Sequence, residues 1–62
     1  MQTTIARRIK AAREEAGLTQ QQLSDALGFN DRQTVAAIEA GIRKISAEEL
    51  MKTMGILGKD LE

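Results

Sequence analysis

The sequence lacks cysteine, proline, histidine, tryptophan and tyrosine, and Phe29 is the one aromatic residue among its 62 residues. Without cysteine the chain can form neither a disulfide nor a thiolate metal site. Without histidine it lacks the most common general base and the most common metal ligand. A single aromatic side chain excludes an RNA-binding surface made of stacked rings. We therefore expect a function that uses no cofactor and no metal.

Long apolar runs are absent as well. No segment approaches the length of a membrane span, and no signal-peptide pattern opens the chain. These two absences predict a cytoplasmic protein without a membrane partner. The chain has room for one domain with one small core, and a domain of this length buries only about 60% of the surface of its unfolded chain. Its stability should therefore be modest.

The residues that usually carry catalysis are also missing. The carboxylate pairs Glu14-Glu15 and Glu48-Glu49 are adjacent in sequence, so the two members of each pair point in different directions on a helix. No histidine is present to activate a serine or threonine, and no glycine-rich phosphate loop occurs. We expect that the protein is not an enzyme.

Nine basic and nine acidic residues cancel, so the net charge by itself indicates no particular partner. The positions of the basic residues are more informative, because a neutral domain can still carry a basic face to which a phosphate backbone responds. They concentrate near the start of the chain and in one later pair, namely Arg7, Arg8, Lys10, Arg13, Arg43 and Lys44.

Apolar spacing predicts a first helix over about residues 3–16. Its stripe consists of Ile5, Ile9, Ala12 and Ala16, at helical intervals of four, three and four. Thr3 or Thr4 could cap the start of this helix, and Gly17 suits the left-handed residue that ends it.

A second helix begins after Thr19, a good N-cap whose capping box is completed by Gln22. Its predicted inward face is Leu23, Ala26 and Leu27. Gly28 follows directly, where a residue without Cβ turns the chain without steric cost. We expect Phe29 to pack this turn onto the core.

The third helix is predicted to start at Asn30 or Asp31 as cap and to run to about Ala40, with Gly41 as its stop. Val35 and Ile38 share an inner face, which Ile42 should continue just beyond the stop. The opposite face consists of Gln33, Ala36, Ala37 and Ala40.

Ser46 and Glu49 form a second capping-box pattern, which opens a fourth helix. Leu50, Met54 and Leu57 lie along one side of it, and Gly55 weakens it near its end. No segment has the pattern of a β-strand. The sequence predicts an all-α fold, a compact bundle of four or five short helices.

The stretches LTQQQLSDALGF, RQTVAAIEAG and SAEELMKTMGILG together resemble the phage-repressor (Xre-like, Cro/CI-type) helix-turn-helix family over nearly the whole chain. The resemblance implies a lambda-repressor-like domain over residues 1–62, with the helix-turn-helix at about 19–41. It also implies a recognition helix at about 31–41 that enters the DNA major groove. The chain departs from the usual pattern by one additional residue between Gly28 and Thr34, so the recognition helix should start slightly displaced.

The resemblance assigns base contacts to Arg32, Gln33, Thr34 and Ala37. Arginine can bind guanine O6 and N7, and glutamine can bind adenine N6 and N7. Ordinary exposed helix residues are the alternative for Arg32 and Gln33, and Thr34 could instead face inward or touch a phosphate. The alanines could contact thymine methyl groups, serve helix propensity alone, or face a protein.

The resemblance also assigns phosphate contacts to Thr19, Gln20, Arg43 and Lys44. The amides at the start of the second helix form a natural anion site, although each of these side chains could simply be solvated. Arg13 and Glu39 match a family pair that bridges the first helix to the recognition helix.

The implied partner is double-stranded DNA, bound as a homodimer on two half-sites about one helical turn apart. The chain shows no dimerisation domain and ends at Leu61 and Glu62 directly after the last helix. We therefore expect an N-terminal fragment of a longer transcription regulator that dimerises through a missing C-terminal domain. The alternative is a helix-turn-helix protein-interaction module, of antitoxin or adaptor type, with little intrinsic DNA binding. Zero net charge and the alanine face are consistent with that alternative.

Overall fold

The computed structural model describes residues 2–58 and contains four α-helices in that range. They are α1 (Gln2–Glu15), α2 (Gln20–Leu27), α3 (Arg32–Glu39) and α4 (Ala47–Leu57). The all-α prediction is confirmed. Within the described range, no helix is both long and apolar enough to cross a membrane. The expectation about the chain end concerns Leu61 and Glu62, which lie outside the described residues.

The capping box predicted at the start of α2 is confirmed, since both of its hydrogen bonds are present. The backbone N–H of Gln22 donates to Thr19 Oγ1 at 3.0 Å, and the N–H of Thr19 donates to Gln22 Oε1 at 2.8 Å. Gly28 ends the helix with φ +81°, in the left-handed region. The side chain of Phe29 is half-buried and packs against the core, as predicted.

The N-caps of α3 and α4 also depend on residues close in sequence, and they were predictable. Asp31, not Asn30, is the N-cap of α3, and its Oδ1 accepts from the N–H of Thr34 at 3.2 Å. Ser46 and Glu49 form the capping box of α4. The predicted cap of α1 was wrong, because α1 begins at Gln2 and Thr4 therefore lies inside the helix.

One apolar core joins all four helices. α3 packs against α2 and α1, and α4 packs against the same two helices. The buried members of the core are Ile9, Ala12, Leu23, Val35, Ile38, Ile45, Met54 and Leu57. Each large aliphatic side chain among them contributes about 1.5–3 kcal/mol by leaving water. The core thus fixes α3 by its inner face, the stripe of Val35 and Ile38.

Three residues of the predicted inward faces lie outside the core. Ala16 follows the last residue of α1 and is exposed, and Ala26 is exposed on α2. Ile42 is 83% exposed. The amide of Ile42 bonds back to the carbonyl of Ala37 at 2.9 Å, across Gly41 with φ +77°. The chain therefore leaves the helical path before Ile42, and the stripe of α3 does not continue into it.

Two buried hydroxyl residues were not predicted as part of the interior. Ser24 is 0% exposed, and its Oγ donates to the carbonyl of Asp31, the N-cap of α3. Thr53 is also 0% exposed, and its Oγ1 donates to the carbonyl of Glu49 at 2.8 Å. Both residues are polar, so a search for apolar residues at helical spacing passes over them. They can be buried because each hydroxyl donates a hydrogen bond to a nearby carbonyl. Ser24 thereby ties α2 to the start of α3, across the turn between the two helices.

Candidate nucleic-acid interface

The first turn of α3 presents two long polar side chains to solvent. Val35 and Ile38 are 1% and 3% exposed and set the inner side of the helix. Arg32 and Gln33 precede them and are exposed. Within residues 2–58, neither side chain makes a hydrogen bond or an ion pair. Their donors and acceptors are therefore available to a ligand.

The next candidate positions of α3 are smaller and less exposed. Ala37 lies one helical turn beyond Gln33 and so shares its side of the helix. Ala36 and Ala37 are half-buried, whereas Ala40 is exposed. Thr34 is half-buried, and its Oγ1 lies 3.4 Å from Oδ1 of the N-cap Asp31. The hydroxyl of Thr34 is therefore directed toward the cap of its own helix.

The structure brings Arg13 and Glu39 together across 26 positions of sequence. Arg13 Nε donates to Glu39 Oε2 at 2.7 Å, and Nη2 donates to Oε1 at 3.1 Å. The two side chains are 10% and 3% exposed. The hydrogen bond to Glu39 raises the pKa of Arg13, against the opposing effect of burial. Arg13 Nη1 also donates to the carbonyl of Leu18 at 2.7 Å, so one guanidinium joins α1, α3 and the segment before α2.

Gln20 belongs to the same cluster. Its Nε2 donates to Glu39 Oε1 at 3.2 Å, and the side chain is half-buried. A primary amide carries two N–H groups, so one N–H remains for an external acceptor. Thr19 is exposed, but its hydroxyl oxygen already accepts the capping bond from Gln22. At this end of α2, the free backbone amides and the second N–H of Gln20 are the groups left to bind an anion.

Arg43 and Lys44 differ from each other although they are neighbours. Arg43 Nη1 and Nη2 donate to the two carboxylate oxygens of Glu49 at 3.2 and 3.1 Å. The guanidinium carbon also lies 5.5 Å from the centre of the Phe29 ring. Lys44 is exposed, and within the described range its ammonium group makes no ion pair. Lys44 is thus available to bind an external anion, whereas Arg43 is already paired with Glu49.

The pairing of Arg43 with Glu49 affects the pKa of both groups. The hydrogen bond to Glu49 raises the pKa of Arg43. The bond from Arg43 lowers the pKa of Glu49, and the backbone N–H of Ser46 lowers it further. Glu49 therefore both closes the capping box of α4 and holds Arg43. The sequence indicated only the first of these roles.

A comparison of the sequence with models of known families identifies the family of this chain. The model of the helix-turn-helix family matches residues 9–62. The chain belongs to the phage-repressor-like helix-turn-helix family. No similar protein was found among curated proteins. Members of the family are typically DNA-binding regulators rather than enzymes.

In this helix-turn-helix domain the candidate residues with long polar side chains fall into three groups. Arg32, Gln33 and Lys44 are exposed and, as far as residues 2–58 are concerned, make no ion pair. Gln20 belongs to the Arg13–Glu39 cluster, and Arg43 is paired with Glu49. Within residues 2–58, no group of three carboxylates could hold a metal ion. The chemistry available at this surface is hydrogen bonding and charge attraction.

Proposed function

We propose that this domain binds double-stranded DNA in a sequence-specific manner and acts as a transcription regulator. α3 is the recognition helix, and its first turn enters the major groove. The observation that carries the proposal is the state of Arg32 and Gln33, which are exposed and have no partner within the described residues. Long polar side chains at the start of a helix can reach base edges that the helix backbone cannot.

The side chains of α3 suit direct base recognition. Arg32 can donate two hydrogen bonds to O6 and N7 of guanine, and Gln33 can pair with N6 and N7 of adenine. Ala37 lies one turn further on the side of Gln33 and has a methyl group suited to contact with a thymine methyl. The small alanines allow the helix to approach the groove closely.

Phosphate contacts would come from the surroundings of α3. The first backbone amides of α2 have no partner inside that helix, and a helix N-terminus attracts anions. The second N–H of Gln20 and the ammonium group of Lys44 add donors. Such contacts fix the position of a domain on DNA but carry no sequence information.

A single recognition helix contacts few base pairs, so we propose that two copies bind together. Related half-sites then lie about 34 Å apart on one face of the duplex. Occupancy of such a site would block other proteins from the same DNA, which is the action of a repressor.

Fluorescence polarisation with a labelled random duplex tests DNA binding directly. If about three to five phosphates are neutralised per copy, the slope of log K against log salt should be about −3 to −5. Selection from a random duplex pool should then enrich one short motif. Absence of binding at low salt would contradict the proposal, as would binding without any enriched motif.

Ile42 favours a second candidate function, namely a protein-interaction module. Leu18 and Phe29 occupy the equivalent position after α1 and α2, since the amide of each bonds back to the fifth residue before it. Both of these side chains pack against the core, but Ile42 is 83% exposed. An Ile42→Ser variant separates the two functions. DNA affinity should not change in a DNA-binding domain, whereas affinity for a protein partner would fall.

A further inference from the structure

Arg43 is held by acceptors and by an aromatic ring of its own chain. Both of its terminal nitrogens bond to Glu49, and its guanidinium lies over Phe29. Nη1 also lies 3.4 Å from the carbonyl of Lys44. A guanidinium with both terminal nitrogens on one carboxylate offers fewer donors to a phosphate. The side chain that resembles a phosphate anchor is thus already bound.

The Arg43–Glu49 ion pair is accessible to solvent. The Arg43 side chain is 40% exposed and that of Glu49 is 26% exposed. Exposed pairs of this kind contribute only about 0–1 kcal/mol, so an external anion can displace the carboxylate. A phosphate, like a carboxylate, can accept two parallel hydrogen bonds from a guanidinium. Arg43 can therefore exchange one bidentate partner for another.

We propose that Glu49 is an internal competitor of DNA phosphate for Arg43, and that it thereby limits the DNA affinity of the domain. This inference rests on the proposed DNA-binding function. In the free protein Arg43 is paired with Glu49, and on DNA it exchanges this partner for a phosphate. The free energy lost with the ion pair offsets part of the free energy gained from the phosphate contact. Glu49 thus lowers DNA affinity although it touches no DNA.

A Glu49→Gln variant removes the competing charge and keeps the helix start. Gln22 closes the capping box of α2 in the same way, which shows that an amide oxygen suffices at this position. Glu48→Gln is the matched control, because Glu48 is exposed in the same first turn of α4 and carries the same charge. Any general effect of lost negative charge appears in both variants.

We expect Glu49→Gln to bind a random duplex about two- to five-fold more tightly than Glu48→Gln at low salt, the range set by the value of an exposed pair. The slope of log K against log salt should be the same in both variants, because Arg43 neutralises one phosphate in each complex. A merely structural role for Glu49 would weaken binding instead. Adding Arg43→Ala to Glu49→Gln should abolish the gain in affinity.

The outcomes are distinct. Equal affinity of Glu49→Gln and Glu48→Gln would overturn the inference while leaving the proposed function intact. A wild-type protein without salt-dependent DNA binding would overturn the proposed function. Circular dichroism at each salt concentration confirms that the variants compared are folded.

Discussion

Glu39 makes more hydrogen bonds than any other side chain described on α3. It accepts two hydrogen bonds from Arg13 and one from Gln20, and its side chain is 3% exposed. Removal of one member of a buried ion pair leaves the other charge without compensation, which costs about 3–5 kcal/mol. The cluster therefore contributes to stability and at the same time fixes the position of Gln20.

Arg13→Ala and Glu39→Ala should each lower the free energy of unfolding, and the double variant should lower it by less than the sum. The expected coupling between the two sites is about 0.5–3 kcal/mol. Urea melts of the four proteins measure this difference. Lys10→Ala, an exposed change on α1, serves as control and should stay within about 0.5 kcal/mol of wild type. Strict additivity would show that the pair is not coupled.

Among the hydrogen-bonding side chains of α3, base preference should depend on Arg32 and Gln33. Arg32→Ala and Gln33→Ala should each reduce discrimination by about 1–3 kcal/mol at one base pair. Lys44→Ala should weaken binding to all sequences alike, because a phosphate contact carries no sequence information. Affinities on a panel of single-base variants of the selected site measure both effects. An altered preference in Lys44→Ala, with none in the other two, would reverse the assignments.

Glu49 gives the fold one acid-sensitive contribution. Its pKa is lower in the folded chain than the ordinary value of 4.5, because of Arg43 and Ser46. A lowered pKa stabilises the fold above the unfolded value, and this contribution is lost as the pH falls from about 5 through the folded value. For an exposed pair the loss is at most about 1 kcal/mol. Urea melts at decreasing pH should therefore show a smaller acid loss in Arg43→Ala than in wild type. An identical pH profile would contradict this.

Two glycines separate the effect of backbone conformation on stability from the effect of the space available for a side chain. Neither Gly28 nor Gly55 has a heavy atom within 4 Å of an added Cβ, but only Gly28 has a positive φ, of +81°. Gly28→Ala should destabilise the domain by about 1–2 kcal/mol, because an L-residue resists the left-handed region. Gly55→Ala, inside α4, should stabilise it by about 0.5–1 kcal/mol. Thermal melts compare the pair. Equal effects would mean that backbone conformation is not the cause.

Helix starts and ends were predictable where they depend on neighbours in sequence. Thr19, Asp31 and Ser46 each bond to an amide three residues later, so the signal is contained in four residues. Two consecutive threonines near the chain start gave the same signal falsely, because α1 begins before them. A cap residue alone does not reveal on which side of it the helix begins.

The candidate site was predictable to a lesser extent. The pairing of Arg13 with Glu39 spans 26 positions, and only the family resemblance indicated it. The pairing of Arg43 with Glu49 was not predicted, because it depends on the path of the loop between α3 and α4. No periodic pattern specifies such a path. The exposure of Ile42 was missed for the same reason.

The domain as a whole is small, and a ligand should therefore change its melting temperature markedly. With about 0.05–0.15 kcal/mol per residue, the free energy of unfolding is only about 3–9 kcal/mol. A duplex present at 100 times its Kd adds about 2.7 kcal/mol. In a domain of this size that corresponds to a shift of roughly 10–20 °C. Differential scanning calorimetry with the selected duplex measures it, and a scrambled duplex is the control. Equal shifts with both duplexes would exclude sequence-specific binding.

The way in which α3 is fixed has a consequence for divergence among related chains. Val35 and Ile38 hold the inner face, Ser24 bonds to the carbonyl of the N-cap Asp31, and Arg13 bonds to Glu39 at the far end. Arg32 and Gln33 take part in none of these contacts within residues 2–58. Mutations at these two positions can therefore accumulate without loss of folding. Under the proposed function, a duplicated copy of this domain could acquire a new operator through a few substitutions, while the first copy retains the old one.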